Sequence, residues 1–337
     1  MSKKIDFKKL RAVLLVAVIV SVYAVISFLP EKPYLTVNGK EVSEGIYCYY
    51  LDKLMSEQGD VSSLSGEKLQ KIRTSALELT SKTVIGAELV ADKGLSTAYK
   101  RLAADDTEKL WSLYGDYYKT VSVSKQDITE IMRYEYTKKQ LVGQYYGEGT
   151  EKAPSEMDLK QAFVEMYVGF KAVEGSLMKD SDMGERVEIS SAEKKQLIST
   201  FESLAKKINS GDMTIDEANE RYNDTLGIIV MSPLEVTLVR EGDPLYAEDF
   251  FSEVMDIDHG DCAVIESGST VYLLQRQTIA TTDEDAFALY RSEILEHLKM
   301  GEIEKLINKK LGSSEKVTDE KRADEIFREI YDIHTSK

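Results

Sequence analysis

The chain has 337 residues, 42% of them hydrophobic and 30% charged, with five Pro and two Cys, a composition that fits folded domains rather than repeats or low-complexity sequence. Net charge is −16, yet the first eleven residues carry +4 (Lys3, Lys4, Lys8, Lys9 and Arg11 against Asp6), which leaves about −20 on the remainder. That balance argues against nucleic-acid binding and against docking on anionic lipid.

Residues 12–29, AVLLVAVIVSVYAVISFL, run without a charge. At ~1.5 Å per helical residue they span roughly 27 Å, close to the hydrocarbon core of a bilayer. The basic end before them keeps residues 1–11 in the cytoplasm and places everything after Pro30 outside. The apolar core of a cleaved signal peptide is usually ~7–15 residues long and ends at a small-x-small site. SFLPEKP offers no such site and no Cys follows closely, so the run reads as a retained single-pass anchor, with cleavage as the alternative.

About 300 residues then remain, enough for two domains. Tyr34–Val42 reads as a hairpin turning at Asn38-Gly39, because both residues tolerate positive φ. Ser43 caps a helix with Tyr47, Tyr50, Leu51 and Leu54 on one face, ending near Gly59 before a Ser/Gly-rich loop to Gly66. Leu69, Ile72, Ala76, Leu79, Thr83, Ala87 and Val90 recur at three and four residues, a long amphipathic helix stopped by Gly94. Leu102–Tyr118 reads as helical with Trp111 in the core. Ser124, with Asp127 three residues on, opens a helix whose stripe is Ile128, Ile131, Tyr134, Leu141 and Tyr145. Gly147, Gly149 and Pro154 mark a break.

Ser155 with Asp158 is a capping-box start leading to a strand at Tyr167–Val173. A charged loop over Lys179–Glu188 follows. Ser190 with Glu193 and Thr214 with Glu217 cap two more helices, the first with Leu197, Ile198, Phe201, Leu204, Ala205 and Ile208 on one face. Leu226–Met231 is strand-like, Leu245–Met255 a short helix, and Cys262–Ile265 and Val271–Leu274 two strands around Ser267-Gly268-Ser269. The region reads strand, helix, helix, strand, helix, strand, strand. A long helix returns over Asp283–Leu311, and a last one over Asp319–Ile333 is expected to pack on the body or to cap a partner.

Two stretches carry a resemblance. Val37-Asn38-Gly39-Lys40-Glu41-Val42-Ser43 and Ala91-Asp92-Lys93-Gly94-Leu95-Ser96 resemble the N-terminal domain of the SurA/PrsA-type extracytoplasmic foldases. Gly211, Ile215, Ala218, Tyr222 and Asp224, followed by Leu226-Gly227, Gly260-Asp261 and Thr270–Gln275, resemble a parvulin-type peptidyl-prolyl isomerase domain. The resemblance covers roughly residues 34–311. It implies an α+β chain: a transmembrane anchor (12–29), a mainly helical chaperone domain (34–154 plus 283–311), an inserted parvulin-like domain (155–282) and a C-terminal helix or tail (312–337).

The departures bear on mechanism. Parvulins carry one His in the first strand and one in the last; those positions fall here on Ala172 and Tyr272. A proline or peptide pocket would be made by Phe170, Met255, Ile257 and Tyr272, with Met255 where the family places a Phe. Isomerisation makes no bond and only lowers a barrier of ~18–20 kcal/mol, so binding alone can contribute.

Other chemistry has little support. His259, His297 and His334 have no partner at metal-ligand spacing and read as exposed structural residues. No nucleophile elbow, phosphate loop or C-x-x-C occurs, and Cys48 and Cys262 read as buried free thiols, with a disulfide as the alternative. Asp105-Asp106 and Asp180-Ser-Asp182 read as solvated charges. No cofactor or metal is implied. Tyr is abundant, at 19 residues, and Tyr47, Tyr50, Tyr117 and Tyr118 are candidates for a surface that binds client chains. The sequence thus leads to a membrane-anchored chaperone or foldase for unfolded exported polypeptides in a bacterial envelope. An active isomerase with a remodelled site and a bitopic scaffold subunit are the alternatives, and a homodimer or an envelope partner stays open.

Overall fold

The computed structural model describes residues 33–90, 94–181, 184–279 and 284–336. The expected anchor, 12–29, lies outside them, and no helix among the described residues is long and apolar enough to cross a membrane. In chain order the elements are β1 (Leu35–Val37), β2 (Lys40–Glu41), α1 (Glu44–Ser56), α2 (Gly66–Leu89), α3 (Thr97–Thr120), α4 (Lys125–Tyr146), α5 (Glu156–Met166) and β3 (Tyr167–Ser176). There follow β4 (Met178–Asp180), β5 (Arg186–Glu188), α6 (Ser191–Asn209), α7 (Ile215–Thr225), β6 (Thr237–Arg240), α8 (Phe250–Met255), β7 (Cys262–Ser267), β8 (Thr270–Gln277), α9 (Glu284–Gly312), β9 (Lys316–Thr318) and α10 (Glu320–Thr335). Contacts divide the chain into a first unit, up to Leu141 and again from Glu302, and a second, Val142–Gly301. The expected boundaries at 154/155 and 282/283 thus lie inside the second unit.

In the first unit the hairpin forms as expected: Asn38 and Gly39 both take positive φ, 50° and 76°, the turn that matches strand twist. β9, within the stretch expected only as a C-terminal helix or tail, pairs antiparallel with β1 on its other side. Ser43, Ser65, Ser96 and Asp319 each start a helix by accepting a backbone N–H two or three residues on. Side chains from α1, α2 and α4, among them Tyr47, Leu51, Met55, Ile85, Ile128 and Leu141, fill the core with Leu35 and Val37. On α2 the buried stripe includes Thr80, Ser81 and Thr83, whose hydroxyls donate back to the carbonyls of Ala76, Leu77 and Thr80 and so need no external partner.

Several expectations fail here. Helix α2 ends at Leu89 with Val90 as its cap, and Gly94 (φ 66°) returns its N–H to the Val90 carbonyl. Ala87 is exposed. Trp111 is half-buried; its ring lies over Gly115, one turn on, where an added Cβ would come within 3.0 Å of it, and stacks on Tyr118. Tyr145 is exposed. The last helix takes the first of its two expected places: α10 packs on α1 through Ala323, Ile326 and Ile330, with Arg322 bidentate to Glu44 at 2.7 Å. His334 is therefore enclosed, its Nε2 2.9 Å from Asp52 Oδ1.

In the second unit, capping boxes at Ser155, Ser190 and Thr214 form as read. The Lys179–Glu188 stretch is the β4–β5 hairpin rather than a loop. Leu226–Met231 has no ladder partner; the strand lies later, at β6, beyond the point where Asp216 accepts the Leu234 N–H. The helix expected from Leu245 starts only at Phe250. Helix α5 and the first half of α9 pack through Leu159, Phe163, Tyr167, Phe287 and Ile294.

Candidate functional site

The second unit carries a four-stranded antiparallel sheet in the order β6-β3-β8-β7, with the first strand in the middle. Side chains alternate between its faces. One face (Val173, Val271, Leu273, Cys262) is covered by α6 and α7 through Phe201, Leu204, Ile208, Ile215 and Ala218. The other (Val168, Phe170, Val239, Ile265, Tyr272, Leu274, with Ala172 and Ala263 half-buried) is covered by Phe250 and Val254 of α8 and by Tyr246 just before it.

Ala172 and Tyr272 both lie on this second face. Ala172 stands opposite Leu274, and Tyr272 opposite Glu174 and Ile265, so the two are diagonal neighbours across β3 and β8. A methyl cannot move a proton. Burial pushes the Tyr272 phenol up, and the nearby Glu174 carboxylate adds to the rise. Burial likewise raises Tyr246. Both phenols stay neutral at ordinary pH, able to donate a hydrogen bond but not to act as a base.

The expected pocket of Phe170, Met255, Ile257 and Tyr272 does not stand open. Phe170 is 2% exposed, and Ile257 and Tyr272 are buried. The rings of Tyr246 and Phe250 stack at 4.2 Å, and Phe250 meets Phe170 at 5.6 Å and Tyr272 at 5.4 Å, so a four-ring cluster fills the face. Only Met255, 38% exposed, is accessible. Sequence reasoning missed Tyr246 and Phe250 as fillers; the signal available was an aromatic pair at i and i+4. Arg276, opposite Phe170 in register, donates from one nitrogen to the Met255 and Ile257 carbonyls at 2.6 Å each and closes the C-terminal end of α8.

The expected client surface is not a surface. Tyr47 is 0% exposed and stacks on Tyr34 at 5.6 Å; Tyr50 and Tyr118 are buried. Tyr117 donates to Asp52 at 2.6 Å, the same oxygen that faces His334. These tyrosines fall on the stripe that α1 and α3 turn to the core, and helical period outranks amphipathic character. The exposed apolar side chains lie elsewhere: Leu113 and Tyr114 on α3, and in the second unit Leu226, Ile228, Ile229, Met231 and Leu245. Among the described residues no group of three or more His, Cys, Asp or Glu is placed to hold a metal.

No protein-family model matches the chain, and no curated protein sequence matches it at a significant level. Among the solved structures similar to it are three foldases. The PrsA foldase of Lactococcus lactis is 13% identical, the match covering 89% of this chain and 99% of that one at a TM-score of 0.37. PrsA of Streptococcus pneumoniae is 12% identical over 76% of this chain and 91% of that one (TM-score 0.38). PrsA of Bacillus subtilis is 12% identical over 74% and 87% (TM-score 0.33).

Proposed function

We propose that this chain is a membrane-anchored extracytoplasmic chaperone of the foldase type, which holds unfolded exported polypeptides without catalysing prolyl isomerisation. The observation that carries the reading is the face of the β6-β3-β8-β7 sheet. Apart from the β4–β5 hairpin, the elements from β3 to β8 run strand, helix, helix, strand, helix, strand, strand along the chain, which supports the parvulin-like reading, and the two positions where that family has histidines fall on Ala172 and Tyr272. The stacked rings of Tyr246 and Phe250 cover Phe170 and Tyr272, which supports a face closed to a proline ring. The second unit then serves as a retired isomerase module, and the helical unit as the chaperone body. Affinity without sequence readout comes from exposed apolar side chains, Leu113 and Tyr114 on the helical unit, with Ile229, Met231 and Leu245 of the second unit adding to it. The anchor is supported by the charge-free run at 12–29 behind a basic end.

The test is a protease-coupled prolyl isomerisation assay run beside an aggregation-suppression assay on one sample of the chain in nanodiscs. Suppression with no catalysis above background is the expected result. Catalysis well above background assigns the chain to the isomerases instead, and silence in both assays overturns the chaperone reading.

A further inference from the structure

The first unit holds a groove of about 730 Å³ between β2, α2 and α4, within the ~300–1,000 Å³ range of ligand sites. Its floor is apolar: Val42, Ile46, Val84, Leu95 and Tyr134. Three independent features describe what fits it. The first is charge. Lys40, Lys100 and Arg133 face Glu41 and Glu130 along the groove, a cationic excess in a chain of net −16. Lys40 lies 3.4 Å from Glu88 and Arg133 2.8 Å from Glu130, while Lys100 has no ion-pair partner among the described residues. The second is a hydroxyl. Thr137 lines the groove and offers its hydroxyl to a ligand that enters it.

The third feature is backbone. β2 is the outer strand of β2-β1-β9. Val37 stands opposite Lys40 across the two-residue turn, and the Val42 N–H donates to the Leu35 carbonyl. Hydrogen-bonded and non-hydrogen-bonded pairs alternate along such a ladder, so the pair between them, Thr36 and Glu41, is the non-bonded one. The N–H and C=O of Glu41 therefore point away from β1, on a free edge that walls the groove.

We infer that the groove takes an extended peptide with alternating apolar and acidic side chains, added as a strand to β2. Glu41 exchanges its two backbone bonds with the peptide, the apolar side chains enter the floor, and a carboxylate reaches Lys100. An acyl chain would fill the floor but leave the Glu41 amide unused, and the edge decides for a peptide. The inference rests on the chaperone reading and names its client class.

The experiment is fluorescence anisotropy on the full chain in phosphatidylcholine nanodiscs, with a dye-labelled five-residue peptide alternating Val and Glu. Its controls are the Val/Gln peptide and two Val/Glu peptides N-methylated on either alternate set of amides. The expected result is binding of the Val/Glu peptide, weaker binding of Val/Gln, and loss on one N-methyl pattern but not the other. Lys100→Ala should weaken the Val/Glu peptide about fivefold, the upper end for an exposed ion pair, and leave Val/Gln unchanged. Glu41→Pro deletes the edge donor without touching the hairpin ladder and should weaken both peptides about fivefold. Equal binding of Val/Glu and Val/Gln, binding of both N-methylated peptides, or binding of oleate with none of the peptide overturns the inference. Because the N-methyl arm uses the native chain, it does not depend on any variant folding. If the peptide fails to bind while the same sample suppresses aggregation, the groove inference falls and the chaperone reading stands. If the peptide binds as described and aggregation is not suppressed, the groove stands as a peptide site and the chaperone reading falls.

Discussion

Gly86 of α2 sits directly against the Tyr134 ring of α4. A Cβ placed there would lie 2.6 Å from Cδ2 of the Tyr134 ring, and that ring is itself buried. Gly86→Ala should lower stability by about 1–3 kcal/mol, read as a drop in thermal midpoint; an unchanged midpoint would show that the two helices give way freely. Asp52 is a second such point. It accepts from Tyr117 and faces His334, and both its own side chain and that of His334 are about a tenth exposed. Asp52→Ala strands both partners and should cost about 1–3 kcal/mol, measured by denaturant titration. The thiols follow from burial alone. Cys48 and Cys262 are free and buried, and burial pushes each up to about 12. Only thiolate is nucleophilic, so at pH 8 an aromatic disulfide reagent should label neither in the native chain and both after unfolding. Rapid native labelling of either would contradict its burial.

Among the elements, α6 shows how a cap becomes a pH effect. Its capping-box Glu193 is held down to about 2 by the Lys179 ammonium and then by the Ser190 hydroxyl and amide. A lowered native value means that the stabilisation is complete above the ordinary value of 4.5 and is lost as pH falls through about 2. Glu193→Gln should flatten that part of the acid-denaturation curve, which circular dichroism at 222 nm would record. Helix α10 and β9 make a larger point. Deleting residues 313–337 removes the partner of β1 and the apolar cover of α1. The expected result is loss of cooperative unfolding in the first unit, a stronger effect than a dispensable docking tail would give.

For the molecule as a whole, the unit boundaries fall inside α4 and α9, and the packing within the second unit shows where a fragment of it must be cut. Residues 155–282 lack Phe287 and Ile294, which pack on Phe163 and Tyr167. A fragment of residues 142–301 should therefore melt cooperatively and well above one of residues 155–282. Equal midpoints would mean that α9 adds nothing to the second unit.

What the sequence determined by itself was local. Asn38-Gly39 set the hairpin, and Ser43, Ser155, Ser190 and Thr214 set helix starts, because caps and turns are decided by residues a few positions apart. The 3.6-residue period found the long helices and most of their buried faces. Tertiary structure decided everything that needed partners distant in sequence. It recruited Lys316–Thr318 as a strand for β1, gave the ladder to Thr237–Arg240 rather than Leu226–Met231, and docked α10 on α1. It also decided which aromatics are surface: Tyr47 and Tyr50 went inward, while Tyr246 and Phe250 closed over Phe170. Three or four residues of β-propensity are indistinguishable from loop until a partner edge is present, and an amphipathic ring has no preferred side until the neighbouring element arrives.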